Sequence, residues 1–395
     1  MSSTSRVHFG SVRSASATAE HSIVAKFDAV AEKLRIKEAV KNKTVAIKMH
    51  IGAKTCITTV HPLLVGRLVD VIREAGGKPY LVDIMEWQLD AAKRGYTSEA
   101  VGCPILPAAG PADRYYIEKE VNYKGLKTLQ LGGNIKDADI LIGLAHLKGH
   151  NSIGYGGAIK NLALGCFTQK TRFGGKGGGG GMHGTMQWDK YWDKEKCKDA
   201  KRLVKACPFE CIKYKDGSLK VEFDLCNQCM RCIAADTDGC LQIKPENFLS
   251  FVEINAIATQ FVLSHFSEEN RFFLNVAMNI TEYCDCWGFS TGQIFTDLGI
   301  LGSRNLVALD KACLDLLADK PLIKENVSQN LEVNDDPKLH PFARLHGPYK
   351  DPYNMIRLAQ KYGLGSSDYE LEEVLPPIPE PKRTPPHFPK AEKPR

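Results

Sequence analysis

Three cysteines stand at regular three-residue steps in the middle of the chain, at Cys226, Cys229 and Cys232. A short loop with this spacing can wrap three corners of an iron–sulfur cubane, so a fourth thiolate must come from elsewhere. Cys207 lies upstream and is followed by Pro208, as is the fourth ligand of a ferredoxin-type cysteine run. The sequence therefore predicts one 4Fe–4S cluster held by Cys207, Cys226, Cys229 and Cys232. Zinc is the less favoured alternative, because zinc sites use two separated cysteine pairs.

The upstream half of this cysteine pattern is incomplete. Cys197 precedes Cys207 by the spacing of first and fourth ligands in a ferredoxin run, but the two positions between them hold Ala200 and Leu203. In the downstream run, Asp236 replaces the expected fourth cysteine. A second metal site is possible only with an unusual ligand set. The cysteines that could contribute to it are Cys197, Cys211, Cys240, Cys284 and Cys286.

Cys284 and Cys286 form a second pair of soft ligands, with Asp285 between them. Two cysteines one residue apart on a strand point to the same face. They could bind a metal with a further cysteine, could approach the cluster, or could be small buried core residues. The candidates for that further cysteine are Cys56, Cys103 and Cys166.

Basic side chains follow two predicted strands and a glycine-rich turn at residues 154–157. They are Lys48, His50, His146, Lys148, His150 and Lys160. Open α/β sheets bind ligands outside the carboxyl ends of their strands, and glycines that enter a helix N-terminus favour an anion. We therefore predict a pocket for a phosphate- or carboxylate-bearing ligand, in which all of these except Lys148 are candidate catalytic residues. The alternative is that these side chains cap and orient loops.

The elements that must position these residues alternate between strand and helix. Strands are predicted at residues 43–49, 78–84, 138–144, 271–280 and 305–309. Helices are predicted at residues 62–75, 156–164, 247–266 and 311–317. This alternation predicts an α/β fold with a mostly parallel sheet and crossover helices.

The composition changes abruptly at residues 173–184, which contain eight glycines. No packed helix or strand tolerates that loss of conformational entropy, so we expect a domain junction there. The α/β domain is predicted to comprise residues 1–182 and 247–370, with a ferredoxin-like (α+β) insertion at residues 183–246. Residues 371–395 are proline-rich and are predicted to form an extended or disordered tail.

Several motifs resemble a known family. They are VAIKMHIG at 45–52, TVHP at 59–62, HLKGH at 146–150, GAIKNL at 157–162, CDC at 284–286, DLGI at 297–300 and VALD at 307–310. Together they resemble the iron–sulfur branch of the domain-of-unknown-function family 362, from Val7 to about Tyr369. The resemblance implies an α/β domain with a ferredoxin-like insertion that usually carries two full cysteine runs. It implies no substrate, and the incomplete first run departs from the family pattern.

Composition narrows the function classes. The chain has 395 residues, 43% of them hydrophobic and 25% charged, so it can bury a core without disulfides. Thirteen cysteines without a secretory h-region indicate metal ligation in a reducing cytoplasm. No apolar stretch is long enough to cross a membrane, and a net charge of +6 without a basic aromatic stripe does not indicate nucleic-acid binding.

The leading functional hypothesis is an electron-transfer protein or subunit. It would pass low-potential electrons between a ferredoxin- or flavodoxin-type donor, or a larger oxidoreductase complex, and a partner or bound ligand. A cluster-dependent reductase of a small anion and a cluster-based redox sensor are the alternatives. Residues 190–205 carry a local charge of +4, which could dock an acidic partner. No flavin, haem or nicotinamide motif is visible.

Overall fold

The computed structural model describes residues 4–174, 180–186, 191–223, 226, 229–242, 246–329 and 331–377. These residues form fourteen strands and fourteen α-helices. The strands are β1 Ser5–Ser11, β2 Thr44–Met49, β3 Lys78–Asp83, β4 Ile105–Pro107, β5 Tyr116–Tyr123, β6 Leu126–Gly132, β7 Ile140–His146, β8 Lys148–His150, β9 Gly154–Gly156, β10 Ile212–Lys215, β11 Ser218–Val221, β12 Arg271–Ala277, β13 Gly299–Ser303 and β14 Tyr369–Glu373. The helices are α1 Ile23–Lys33, α2 Ile36–Val40, α3 Pro62–Glu74, α4 Met85–Gln88, α5 Ser98–Val101, α6 Gly133–Lys136, α7 Ala158–Gly165, α8 Gln169–Phe173, α9 Ala200–Lys205, α10 Arg231–Ala235, α11 Glu246–Leu263, α12 Leu306–Ala318, α13 Pro341–His346 and α14 Tyr353–Lys361.

Eight strands form one sheet in the order β14-β1-β13-β12-β7-β2-β3-β4. The pairs β12–β7, β7–β2, β2–β3 and β3–β4 are parallel, and within this sheet β13 alone runs against its neighbours. Three hairpins stand apart from the sheet: β5–β6, β8–β9 and β10–β11. The prediction of an α/β fold with a mostly parallel sheet is confirmed.

Helices cover both faces of the sheet, which explains why its central strands β2, β7 and β12 are almost completely buried. Every residue of β7 is buried, as expected for a parallel strand covered on both sides. One hydrophobic core contains side chains of α7, α11, α12 and α14, and the other contains side chains of α1, α2 and α3. Because β2 pairs in parallel with both β3 and β7, the carboxyl ends of these three strands meet at one edge of the sheet.

One predicted element is wrong. Residues 305–309 were expected to form a strand, but α12 begins at Leu306 and the strand lies earlier, at Gly299–Ser303. The side chain of Asn305 accepts hydrogen bonds from the backbone N–H groups of Val307 and Ala308, at 3.0 and 3.3 Å. This N-cap satisfies the first turn of the helix, so a short apolar run that resembles a strand is helical.

Residues 191–242 contain α9, the β10–β11 hairpin and α10. The ends of this segment lie side by side, because Asp193 N–H donates to Cys240 O and Gln242 N–H donates to Tyr191 O, both at 2.8 Å. The ferredoxin-like character of the segment stays a prediction. Residues 175–179 and 187–190, within and just after the predicted junction, and residues 378–395 of the predicted tail lie outside the described residues. No described helix is long and apolar enough to span a membrane.

Candidate functional site

Five cysteines of the central segment come together. The Sγ atom of Cys207 accepts a hydrogen bond from the backbone N–H of Cys211 at 3.3 Å. Burial, followed by the negative charges of Cys226, Cys229 and Cys207, raises the pKa of Cys232 to about 12. The charges of Cys226 and Cys229 act on Cys211 as well. The fold thus places Cys207 and Cys211 beside the regular three-cysteine run.

Within this group, Cys207 has the surroundings of a thiolate. A hydrogen bond from the Cys211 thiol outweighs burial and, together with the backbone N–H groups of Phe209, Cys211 and Ile212, lowers the pKa of Cys207 to about 6. The same hydrogen bond, with burial, raises the pKa of Cys211. The Cys211 Sγ also lies 3.6 Å from the Phe209 carbonyl oxygen, which is a second acceptor for the same thiol proton. Cys207 therefore fits a ligand position better than Cys211 does.

Cys197 and Cys240 form a separate group with two carboxylates. Burial and hydrogen bonds with Cys197 and Asp236 raise the pKa of Cys240 to about 12. The ligand atoms of Asp236, Asp238 and Cys240 lie within 4.8 Å of one another, close enough to hold a metal ion. Cys211, which the sequence grouped with these cysteines, lies beside Cys207 instead. The two positions where a full cysteine run would place ligands hold buried apolar side chains, Ala200 and Leu203.

A buried lysine faces the first cysteine group. Lys350 is 3% exposed, and its Nζ has no hydrogen-bond partner among the described residues. Burial lowers the pKa of Lys350 to about 7, against the opposing effect of the charges of Cys226, Cys229 and Cys211. Its ammonium form would balance thiolate charge at this point. A cavity of about 430 Å³ opens beside Cys229 and is also lined by His346.

A second group of polar residues lies at the carboxyl ends of β2 and β3. The Asp83 carboxylate accepts from the Ile51 N–H at 3.1 Å and contacts Lys48 Nζ at 3.2 Å and His50 Nδ1 at 3.1 Å. Burial would raise the pKa of Asp83, but Lys48 and His50 hold it well below its usual range. A β-carbon at position 165 would lie 2.1 Å from Lys48 Cε, so only Gly165 leaves room for this lysine.

The third strand end, β7, leads to a buried carboxylate. Asp285 contacts His146 Nδ1 at 2.9 Å and Lys148 Nζ at 3.2 Å, and it accepts from the Thr58 hydroxyl at 3.0 Å. Burial would raise the pKa of Asp285, but the charges of His146 and Lys148 keep it well below its usual range. The Cys56 thiol also donates to Asp285, at 3.4 Å. Cys56 therefore joins the carboxylate rather than the cysteine pair on either side of it.

That cysteine pair contacts Lys160. The Nζ of Lys160 lies 2.7 Å from Cys284 Sγ and 3.7 Å from Cys286 Sγ. A ring nitrogen of His150 and the two sulfur atoms lie within 4.8 Å of one another, so this group could hold a metal ion. His150 is thus the third member of the group.

Two other cysteines were named as possible partners of this pair. Cys103 packs in the hydrophobic core that contains side chains of α1, α2 and α3. Burial raises the pKa of the Cys166 thiol to about 12.

The N-terminus of α7 is filled by the chain itself. The sequence favoured an external anion at this glycine-rich turn, but the Asp310 carboxylate accepts from the Ala158 and Ile159 N–H groups at 2.8 and 3.0 Å. It also accepts from the Tyr155 hydroxyl and the Asn275 amide, at 3.0 and 2.7 Å. The helix that carries Lys160 is therefore anchored by an internal carboxylate, so this turn does not offer its N–H groups to an external anion.

A small cavity of about 30 Å³ lies among these cations. Arg172 lines it and is 4% exposed, yet its Nε and Nη1 have no hydrogen-bond partner among the described residues. The guanidinium lies 5.4 Å from the centre of the Trp87 ring. An unpaired buried guanidinium is costly, so this arrangement favours an anion. Other basic side chains that line the cavity are Lys48, His50, Lys148 and Lys160.

All the basic residues named from the sequence lie at this edge of the sheet. This is the arrangement expected when they follow parallel strands, whose carboxyl ends share one edge. The sequence predicted no role for three charged residues at this edge: Asp83, Asp285 and Arg172. Asp83 ends a predicted strand and Asp285 separates two cysteines, so both had a recognisable position. Arg172 had no such signal, because its burial depends on the packing of α8 against other elements.

A family model and solved structures are similar to parts of this chain. The family model described as "Domain of unknown function (DUF362)" matches residues 45–315. The solved structure of the lactate racemase apoprotein from Thermoanaerobacterium thermosaccharolyticum is similar to this chain with a TM-score of 0.33 and 12% identity, over 69% of this chain and 50% of that one. The chain thus spans about half the length of that protein, and a likeness of this size supports no functional argument. No curated protein matches the chain.

Proposed function

We propose that this chain, which belongs to the family described as domain of unknown function (DUF362), is an iron–sulfur electron-transfer protein. Its 4Fe–4S cluster would be held by Cys207, Cys226, Cys229 and Cys232. The observation that carries the proposal is the convergence of Cys207 on the three-cysteine run, from a position nineteen residues upstream of Cys226. When bound, such a cluster supplies one-electron transfer, with a potential set by nearby charge and hydrogen bonds to sulfur.

The surroundings of the four cysteines support an anionic cluster. Backbone N–H groups of Phe209, Cys211 and Ile212 lower the pKa of Cys207, and such N–H···S bonds stabilise ligand thiolates. The amine of Lys350 is buried within the electrostatic reach of Cys226 and Cys229 and has no hydrogen-bond partner in the described part of the chain. A cation at this point offsets the negative charge of a four-thiolate cubane.

In this proposal Tyr283 relays electrons between the cysteine group and the sheet edge. The charges of Cys211 and Cys229 act on the Tyr283 phenol, whose pKa is raised first by burial. Tyr283 directly precedes Cys284, which contacts Lys160. An electron that enters at the cysteine group would thus reach the cationic edge of the sheet through one aromatic residue.

The donor in this proposal is a small acidic redox protein of the ferredoxin or flavodoxin type. Lys194, Lys198 and Lys201 are exposed on the segment that carries Cys197 and Cys207. Lys196 and Arg202 pair with Asp193 and Asp238, both at 3.1 Å, so part of the basic charge is internally balanced. These three lysines, together with the exposed Lys205, are left to steer an acidic partner.

Metal analysis of the anaerobically purified protein tests the cluster. We expect about four iron and four sulfide per chain, the content of one cubane. Cys229→Ser and Cys207→Ser should lose most of the iron, whereas Cys211→Ser should keep it because Cys211 supports the ligand without being one. Cys103→Ser is the buried control outside the group. Zinc without sulfide, or full iron in Cys229→Ser, would refute the proposal.

A second candidate function is a cluster-dependent reductase of a small anion. It is favoured by Arg172, whose buried guanidinium faces a cavity lined by Lys48, His50 and Lys160 without a partner for two of its nitrogens within the described residues. In this case the cationic edge would bind the substrate and the cysteine group would supply its electrons. Anion binding that depends on Arg172 separates this function from electron transfer alone.

A further inference from the structure

Cys284 and Cys286 are arranged as a pair that shares one cation. Their sulfur atoms lie within 4.8 Å of each other, and Lys160 Nζ lies 2.7 and 3.7 Å from them. The backbone N–H of Cys286 also points to Cys284 Sγ, at 3.5 Å. Cys284 is fully buried and Cys286 is partly exposed. Cys286 is therefore the more accessible member of the pair.

A divalent metal ion is the less suitable occupant of this group. The Nδ1 atom of His150 accepts from the Ser152 N–H at 3.0 Å, so the neutral ring carries its proton on the other nitrogen and has no free lone pair. Burial, followed by the charge of Lys160, keeps the pKa of His150 well below its usual value and so keeps the ring neutral. Lys160 and nearby Lys148 would repel a second cation.

We propose that Cys284 and Cys286 form a reversible dithiol–disulfide couple that holds two electrons at the cationic edge of the sheet. In the reductive direction the S–S bond takes up two electrons and one proton, and it yields a Cys284 thiolate and a Cys286 thiol. Lys160 stabilises the thiolate, which exists only in the reduced form.

The protonation of the two sulfurs agrees with this assignment. Burial would raise the pKa of Cys284, but a hydrogen bond from Cys286 and the charges of Lys160 and Lys148 hold it well below the usual thiol value. The hydrogen bond to Cys284 and burial raise the pKa of Cys286. The Asp285 carboxylate is fixed by His146, so the turn that joins the two cysteines is held in place.

The oxidant, by class, is another disulfide. Cys286 passes its proton to the Cys284 thiolate and attacks one sulfur of the external disulfide, which releases one thiolate and forms a mixed disulfide. The Cys284 thiol gives the proton to that thiolate, then attacks Cys286 Sγ and releases the second thiolate. The external disulfide is reduced to one thiol and one thiolate while the pair is oxidised, so atoms and electrons balance.

The natural reductant of this disulfide is inferred from the proposed function, in which the cysteine group carries electrons. The class required is a low-potential one-electron donor, used twice. Tyr283 directly precedes Cys284 and is subject to the charges of Cys211 and Cys229, and its ring centre is 5.7 Å from that of His346, which lines the cavity beside Cys229. Electrons from the cysteine group would therefore arrive at Cys284 through its sequence neighbour.

Thiol mapping in redox buffers tests the couple without any need for the cluster. Wild type and Cys229→Ser are equilibrated anaerobically with mixtures of oxidised and reduced dithiothreitol, quenched in acid, alkylated and analysed by mass spectrometry. The peptide that contains residues 284 and 286 should carry two alkyl labels in reducing mixtures and none in oxidising mixtures, in both proteins. Two labels in the most oxidising mixture, or zinc bound at this peptide, would overturn the proposal.

Substitution of Lys160 tests its role as a positioning residue. In Lys160→Met the disulfide-to-dithiol ratio at a fixed dithiothreitol ratio should rise at least tenfold, because the thiolate loses its cation. Lys160→Arg should restore most of the wild-type ratio, which a purely structural role would not predict. An unchanged ratio in a folded Lys160→Met variant would remove Lys160 from the couple.

A kinetic arm separates failure of the couple from failure of the proposed function. Reduced methyl viologen should reduce the disulfide at least tenfold faster in wild type than in Cys229→Ser. Equal rates, with the dithiothreitol result intact, would overturn electron supply from the cysteine group and leave the couple standing. No disulfide in dithiothreitol mixtures, with about four iron per chain, would refute the couple and leave the cluster standing.

Discussion

At the scale of single residues, Arg172 separates the two candidate functions. A buried guanidinium without partners for two of its nitrogens in the described structure costs free energy unless an anion pairs with it. We expect small anions such as formate, nitrite and phosphate to raise the melting temperature of the wild type. An anion at 100 times its Kd would stabilise the fold by about 2.7 kcal/mol. Arg172→Met should lose this effect, measured by thermal denaturation in an anion series.

The same variant has a second expected property. Without an added anion, Arg172→Met should be as stable as the wild type or more so, because it removes an unpaired charge from the interior. Arg114→Met, at an exposed arginine, is the matched control and should keep the anion effect. A large loss of stability in Arg172→Met without anions would instead make this arginine a structural residue, and the reductase hypothesis would lose its support.

At the scale of elements, the position of α7 depends on the Asp310 carboxylate of α12. Two backbone N–H groups, the Tyr155 hydroxyl and the Asn275 amide donate to it, and a side-chain amide in place of this carboxylate could not accept all four. Asp310→Asn should lower the free energy of unfolding by about 2–3 kcal/mol, measured by urea denaturation. Asp319→Asn, exposed at the end of the same helix, should change it by less than about 0.5 kcal/mol. Equal effects of the two substitutions would show that the cap does not anchor the helix.

At the scale of the whole molecule, charge distribution should control the encounter with a redox partner. Reduction by an acidic ferredoxin should be several-fold faster at ~20 mM than at ~300 mM salt, because screening shortens the reach of exposed charge. The triple variant Lys194→Glu, Lys198→Glu, Lys201→Glu should be slow at low salt and show a flatter salt dependence. A rate of wild-type reduction that does not depend on salt would contradict this docking face.

A matched control distinguishes local docking from net charge. Lys37, Lys41 and Lys78 are exposed around α2 and the start of β3, and α2 packs in the core on the opposite side of the sheet from the cysteine segment. Their reversal to Glu changes the net charge by the same amount. The control should keep the steep salt dependence of the wild type, as stopped-flow reduction would show. If both triple variants lost the salt dependence of reduction to the same extent, only the overall charge would matter.

Local patterns determined much of this protein. The apolar runs of β2, β3 and β7 and the helical spacing of α3 identify these elements, since each pattern depends only on neighbouring residues. The spacing of Cys226, Cys229 and Cys232 is local in the same sense. The basic residues could be placed at one edge because the carboxyl ends of parallel strands must meet there, whatever the order of the strands.

Contacts between distant residues were decided only by the tertiary structure. Lys160 and Cys284 are 124 residues apart, and Ala158 and Asp310 are 152 residues apart. They meet because β12 pairs with β7 and α12 packs beside α7, an order of elements that no local pattern encodes. The sequence therefore placed the cations and the cysteines. The choice of partner for each cation, which decides whether it binds a carboxylate, a thiolate or an external anion, depends on this packing.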